Sequence, residues 1–182
     1  SGVMDITGEA DGPPQRLGVA FADVFTGLYA TIAIQAALAQ RERTGRGQFI
    51  DMALLDSMIG VLGNQAMNYL ATGTPPRRIG NAHPSIVPYQ EFTCSNGHII
   101  IACGNDSQFD RLSRALALDE AVREATRTNA QRVGTRADLP PVLADKLILM
   151  SRAAALAMLE TNGVPAGQIH TIGEAFPDPQ VQ

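Results

Sequence analysis

Tryptophan is absent from this chain of 182 residues, lysine occurs once (Lys146), and cysteine occurs twice, at Cys94 and Cys103. Two cysteines nine positions apart in an expected hairpin are not set opposite each other, so free thiols and a reducing compartment are expected. Histidine is also scarce. His83, His98 and His170 show no metal-ligand spacing with the cysteines, and no metal site is expected. Positive charge is in the minority: 14 Lys+Arg stand against 18 Asp+Glu, for a net charge of -4. That balance argues against a protein that grips nucleic-acid phosphates nonspecifically. No apolar run is read as approaching the ~20 residues of a membrane span, and no basic segment precedes an apolar stretch at the start. Neither a membrane partner nor a signal peptide is expected, and the expected location is the cytoplasm.

What the chain does contain is ordinary globular material, 45% hydrophobic and 18% charged, which excludes disorder. At ~150 residues per domain the length corresponds to about one domain, perhaps one and a piece. A chain of this size buries about 70% of its unfolded surface, enough for a core without disulfides. It opens at Ser1 without an initiator methionine and closes on Asp178-Pro179-Gln180-Val181-Gln182. Both ends are expected to be cuts through a longer polypeptide.

Residues 1–18 are glycine- and proline-rich and read as loop. Val19-Ala20-Phe21-Ala22-Asp23 leads into a long helix expected to run to about Arg43. Val24, Leu28, Ile32 and Ala36 recur at helical spacing, and so do Phe25, Tyr29 and Ala33, so burial on most sides is expected. Gly45 is the natural stop. Gln48–Ala53 reads as a short strand, followed by a helix from Leu54 to Thr72. Helix, strand, helix is the rhythm of an α/β layer. A Pro-rich connector follows from Pro75 to Pro88. Strands Tyr89–Cys94 and His98–Cys103 then flank Ser95-Asn96-Gly97, a strong hairpin signal. A type I′ turn at Asn96-Gly97 sets Cys94 against Ile99 and Gln90 against Cys103. Ser107–Leu116 reads as a helix capped by Ser107 or Asp106. Further helices are broken near Gly134 and Pro140-Pro141, the last spans Ser151–Thr161, and Gln168–Ile172 reads as one more strand.

Asp23 is the carboxylate with the most chemical interest, because it opens a helix that is otherwise apolar. Two roles are open to it. As an N-cap it satisfies a backbone donor. As a nucleophile it uses the same location differently: a helix N-terminus stabilises an anion and offers N–H groups to a developing oxyanion, and a carboxylate there can attack an activated carbonyl.

The run Phe21-Ala22-Asp23-Val24-Phe25-Thr26-Gly27, then Arg41-Glu42-Arg43-Thr44-Gly45-Arg46-Gly47-Gln48, then Ile50-Asp51-Met52-Ala53 and Asp56-Ser57, resembles the family III CoA-transferases, also called the CaiB/BaiF family. The resemblance continues through Gly80-Asn81-Ala82-His83-Pro84-Ser85-Ile86-Val87-Pro88-Tyr89, Asn162-Gly163-Val164-Pro165-Ala166-Gly167 and Glu174–Gln180. It implies an intertwined homodimer of a large Rossmann-like domain and a smaller α+β domain. It implies acyl-CoA and a small carboxylic acid as substrates, and no tightly bound cofactor. The family's nucleophilic aspartate falls on Asp23, which would form an acyl-aspartyl anhydride and then an aspartyl-CoA thioester.

On that resemblance residues 1–74 are the C-terminal part of the large domain, 75–161 the linker and small α+β domain, and 162–182 a segment returning toward the large domain. Most of the CoA pocket would lie in a part of the family chain not present here. His83 either contacts the acyl group or CoA, or faces solvent. Arg77 and Arg78 recognise a carboxylate or a CoA phosphate, or are merely solvated. Asn81 belongs to the same loop, where formyl-CoA transferase carries a run of glycines; Pro84 and Pro88 stiffen it here. Arg46 reaches a phosphate or makes a surface salt bridge, Asp51 is read as structural, and Asp56 as a possible cap. Asp106 caps a helix, or stands near the glutamate of the related α-methylacyl-CoA racemases. Three functions follow: CoA transfer through Asp23, racemisation by α-proton exchange, or a dimerisation fragment inactive by itself.

Overall fold

A single helix of 24 residues, α1 (Phe21–Thr44), dominates the first part of the chain. The computed structural model describes every residue, Ser1–Gln182, and the chain divides into two compact units, Ser1–Gly80 and Asn81–Gln182.

In the first unit α1 ends where its apolar spacing ends, and Gly45 caps it through an N–H bond to the Arg41 carbonyl (2.8 Å). The expected burial on most sides is corrected: α1 has no buried residue, and Val24, Leu28, Ile32, Ile34 and Leu38 are exposed. By length and composition alone α1 is also long and apolar enough to cross a membrane, with an 18-residue window of mean hydropathy 1.4, against the reading that no run comes near a span. The difference lies in Asp23 and the Arg41–Arg43 turn, which sit at the ends of the helix and leave its middle uncharged.

Gln48–Ala53 is not a strand. A strand needs a partner for its backbone groups, and this unit contains no other. The single helix expected over 54–72 is two, α2 (Leu54–Gly60) and α3 (Asn64–Thr72). The break is local: Gly63 holds φ 54° and ψ -124°, a conformation closed to residues with a side chain. α2 packs on α1, where Gly60 lies 4.0 Å from the Tyr29 hydroxyl, measured from the position of an added Cβ. Ser57 and Met58 are buried here.

The second unit holds the hydrophobic core. Its sheet contains β1 (Tyr89–Cys94), β2 (Gly97–Ala102) and β3 (Ala166–Gln168), in the order β1-β2-β3 and antiparallel throughout. The hairpin register differs from the expected one by two residues. Cys94 pairs with Gly97, Phe92 with Ile99 and Gln90 with Ile101. Ser95 and Asn96 form the loop, neither has positive φ, and the positive φ (141°) falls on Gly97. Asn96 is used elsewhere: its Oδ1 accepts the Arg152 N–H at 2.8 Å, and the Ser95 N–H donates to the Met150 carbonyl. A shift of two residues keeps every side chain on its expected face. Cys94 and Cys103 are buried free thiols.

One sheet face, with Phe92, Cys94, Ile99 and Ile101, is covered by α4 (Asp106–Ala115), α7 (Leu139–Leu147) and α8 (Arg152–Thr161). Helical spacing decides which side chains enter: Phe109, Leu112 and Leu116 from and just beyond α4, Leu139, Leu143 and Leu147 from α7, Ala155 and Leu159 from α8. Pro140 and Pro141 lie in the first turn of α7 and begin that helix rather than break it, since their missing N–H groups have no intrahelical role there. The short helices α5 (Glu120–Ala125), α6 (Asn129–Gly134) and α9 (Ile172–Ala175) complete the unit. The last strand begins at Ala166, earlier than expected, because its register is set by Ile99–Ile101 of β2.

Candidate functional site

Asp23 stands in the first turn of α1, third from its start, and is exposed. It is not the N-cap. Ala20 holds that position without a side-chain hydrogen bond, and the Asp23 carboxylate has no partner in the chain. The Phe21 N–H bonds the Val19 carbonyl in a tight turn (2.8 Å), and the first helix bond runs from the Val24 N–H to the Ala20 carbonyl (3.1 Å), so the N–H groups of Ala22 and Asp23 stay without acceptors. An unpaired carboxylate therefore lies beside unpaired backbone donors at the positive end of a 24-residue helix. The rings of Phe21 and Phe25 lie 4.4 Å apart on the same turns, and the Thr26 hydroxyl, one turn beyond Asp23, is buried without a partner.

The other candidates of this unit are the paired arginines. Arg78 donates from Nη1 to the Asp5 carbonyl (2.7 Å) and to Asp5 Oδ1 (3.2 Å), and its buried Nε has no partner. Arg77 is exposed and unpaired. Two sequence readings are corrected nearby. Arg46 forms no salt bridge, because no carboxylate lies within reach of it. Asp56 does not cap α2, whose N-cap is Ala53.

The second unit carries Asn81, His83 and Asp106. Asn81 is exposed and makes no hydrogen bond within the chain. His83 is half-buried. Its Nδ1 accepts the Ser85 N–H at 3.1 Å, and its ring stacks on Tyr89 with centroids 5.3 Å apart. Burial, and after it the charge of Arg136, hold the His83 pKa below the ordinary imidazole value. Neither Asp106 nor Ser107 caps α4: Asn105 does, through Oδ1 to the Gln108 N–H at 2.9 Å. Asp106 Oδ1 instead accepts from Arg132 Nη2 (2.7 Å) and from the Asn129 N–H (2.8 Å).

The residues that organise this unit were not singled out by sequence. Three side chains hold the loop around His83: Asn129 donates from Nδ2 to the Ser85 carbonyl (2.9 Å), Arg132 from Nε to the Val87 carbonyl (2.6 Å) and Arg136 from Nη1 to the His83 carbonyl (2.9 Å). Their spacing of three and four residues was the available signal, since on a helix it would put three polar side chains on one side, although α6 itself ends at Gly134 and Arg136 lies just beyond it.

The whole chain, residues 1–182, matches the model of CoA-transferase family III. It is 49% identical over 183 residues to succinate–glutarate CoA-transferase of Agrobacterium fabrum, covering 100% of this chain and 46% of that protein. It is 41% identical over 182 residues to human succinyl-CoA:glutarate CoA-transferase, covering 100% of this chain and 42% of that protein. A CaiB/BaiF family protein from Brucella suis has a crystal structure that superposes with a TM-score of 0.79 at 55% identity, covering 99% of this chain and 48% of that one. The chain thus spans about half the length of the relatives it matches. A match over every residue, from the exposed Asp23 turn to the last strand, makes this chain a member of CoA-transferase family III.

Proposed function

We propose that the whole protein transfers coenzyme A from an acyl-CoA donor to a carboxylic acid acceptor, with Asp23 as nucleophile. The observation that carries this reading is the exposed, unpaired Asp23 carboxylate beside unbonded N–H groups. In the proposed sequence Asp23 attacks the thioester carbonyl and the C–S bond breaks, leaving an acyl-aspartyl anhydride and CoA thiolate. The thiolate attacks the aspartyl carbonyl and expels the donor's acid, which gives the aspartyl-CoA thioester. The acceptor carboxylate attacks that thioester to form a second anhydride and thiolate. The thiolate then takes the acceptor acyl group and frees Asp23. The relatives' names place succinate and glutarate among their substrates, which supports short dicarboxylic acids here.

On the same reading residues 1–74 are the later part of a Rossmann-like large domain and 75–161 the linker and small domain; within 162–182, Ala166–Gln168 pair with β2 of the small domain's sheet, so any return toward the large domain begins after that strand. The apolar surface of α1 is assigned to protein contact rather than lipid, because the family match includes α1. The protein acts as a homodimer in the cytoplasm, where its two buried thiols stay reduced. The 182-residue chain alone is inactive, because most of the CoA pocket belongs to the other half of the family length. Asn81, Arg77, Arg78 and Asp106 remain candidates for CoA or substrate contact. Of these, Arg77 and Asn81 have their side chains unbonded, whereas Asp106 is committed to Arg132.

The test is to incubate the full-length enzyme with succinyl-CoA in D₂O, quench with hydroxylamine, and analyse protein and CoA ester by mass spectrometry. A hydroxamate on the Asp23 peptide, lost in Asp23→Ala, is the expected result. Deuterium in the CoA ester with Asp23 unmodified makes the enzyme a racemase and overturns the proposal.

A further inference from the structure

The chain passes from its first compact unit to its second at Gly80-Asn81, and both sides of that crossing are tied down. On the near side Arg78 donates from Nη1 to the Asp5 carbonyl (2.7 Å), and the Gly80 N–H donates to the Gly8 carbonyl (3.1 Å). Residues 78–80 are thereby held to the N-terminal loop of their own unit. On the far side the His83 N–H donates to the Tyr89 carbonyl (2.8 Å). Arg136 donates from Nη1 to the His83 carbonyl (2.9 Å) and from Nη2 to the Pro84 carbonyl (2.8 Å). Asn129 donates from Nδ2 to the Ser85 carbonyl (2.9 Å) and accepts the Val87 N–H at Oδ1 (3.2 Å). Each of these partners belongs to the second unit.

Only Asn81 and Ala82 separate the two anchored stretches. Their N–H groups reach no acceptor, and the Asn81 side chain is exposed and unbonded. Gly80, just before them, holds φ 63°. No helix or strand crosses the boundary. A change of φ or ψ costs least where it breaks no hydrogen bond, and a bonded carbonyl or N–H on either side resists it. A few unbonded residues between rigid segments are the ordinary makings of a hinge.

We propose that Gly80, Asn81 and Ala82 are the hinge of this chain, so that any turning of the second unit against the first is taken up in their dihedral angles. The loop from His83 to Pro88 then moves as part of the second unit. Arg136 and Asn129 are positioning residues that keep the hinge short. Three residues reach at most about 10 Å, so this hinge permits rotation and little separation. The hinge stands whatever reaction Asp23 performs.

The first test is residue-resolved hydrogen exchange on the full-length protein. The amides of Asn81 and Ala82 are expected to exchange about 10²-fold or more faster than those of Gly80, His83 and Val87. Uniform protection from Gly80 to Val87 overturns the proposal. Motion is read separately, by single-molecule energy transfer between dyes at Glu42→Cys and Glu124→Cys, one exposed site in each unit. Ala82→Pro restricts rotation without removing a hydrogen bond, and the spread of distances is expected to narrow. Arg136→Met frees two carbonyls, lengthens the loose segment and is expected to widen the spread. A spread unchanged in Ala82→Pro overturns the hinge. A spread unchanged in Arg136→Met, with the amides of the buried Leu143 and Leu159 still protected, overturns the positioning role. Where that protection is lost, Asn129→Ala takes the place of Arg136→Met under the same criterion.

Discussion

Asp106 Oδ1 and Arg132 Nη2 meet at 2.7 Å, joining a carboxylate that is 54% exposed to a guanidinium with no exposed surface. Arg132 reaches this state because every side of it is satisfied. It also donates to the carbonyls of Val87, Thr126 and Arg127, and it lies 4.4 Å from the centroid of the Phe109 ring. A buried cation without such partners would be very costly.

The two partners should therefore be unequal under mutation. Arg132→Met leaves three carbonyls without that donor and should cost about 2–4 kcal/mol. Asp106→Asn keeps an acceptor at an exposed position and should cost about 1 kcal/mol or less. Urea denaturation of both variants checks the order; a greater loss for Asp106→Asn would show that the ion pair, not the carbonyl set, holds Arg132.

Asp23 should separate activity from stability. Its side chain is exposed and unpaired, so Asp23→Asn should change stability by no more than about 1 kcal/mol, the size of a lost helix-dipole interaction. Transfer and the Asp23 adduct should both disappear. A large drop in melting temperature would mean that the carboxylate holds the fold.

Cys103 should resist thiol reagents. Burial raises its pKa from 9.0 to about 11, outweighing the opposing charges of Arg132 and Arg111. Because the folded pKa is the higher one, the contribution is complete below about 9 and disappears as pH rises toward about 11. Alkylation by iodoacetamide at pH 8 should be undetectable in the native protein and rapid in denaturant. Unfolding measured from pH 8 to 11 should show falling stability, and a flat profile would refute the assignment.

Gly97 carries the positive φ that its place in the expected turn called for, although Asn96 does not share it. Its φ is 141°, and an added Cβ would stand 2.9 Å from Arg152 Cδ and Nε. Gly97→Ala should cost about 1–3 kcal/mol, most of it from the backbone because the arginine can move. A wild-type denaturation midpoint for this variant would mean that the hairpin tip relaxes freely.

Legibility differed between the two units. In the second, the Asn96-Gly97 turn signal pointed to the hairpin, and a polar cap and the Asn162-Gly163 stop pointed to α4 and α8, elements that bury a face inside the same unit. In the first, the same reasoning overstated burial. The apolar spacing of α1 is real, but Val24, Leu28 and Ile32 have nothing over them in this chain, and Gln48–Ala53 has no strand to pair with. The hairpin register was missed because Asn96 is claimed by the Arg152 N–H, a bond to a residue 56 positions away.

The sequence by itself determined where α1 ends, which strands make the hairpin, that the thiols do not pair, and that Asp23 lies in the opening turn of an apolar helix. These are consequences of local spacing, of glycine and proline stops, and of one carboxylate's place beside them. Only the tertiary structure decided that Asp23 caps nothing, that Asp106 belongs to Arg132, and that the His83 loop is held by Asn129, Arg132 and Arg136. Those outcomes depend on which buried donor finds which distant carbonyl, and separation along the chain leaves no periodic trace of that choice.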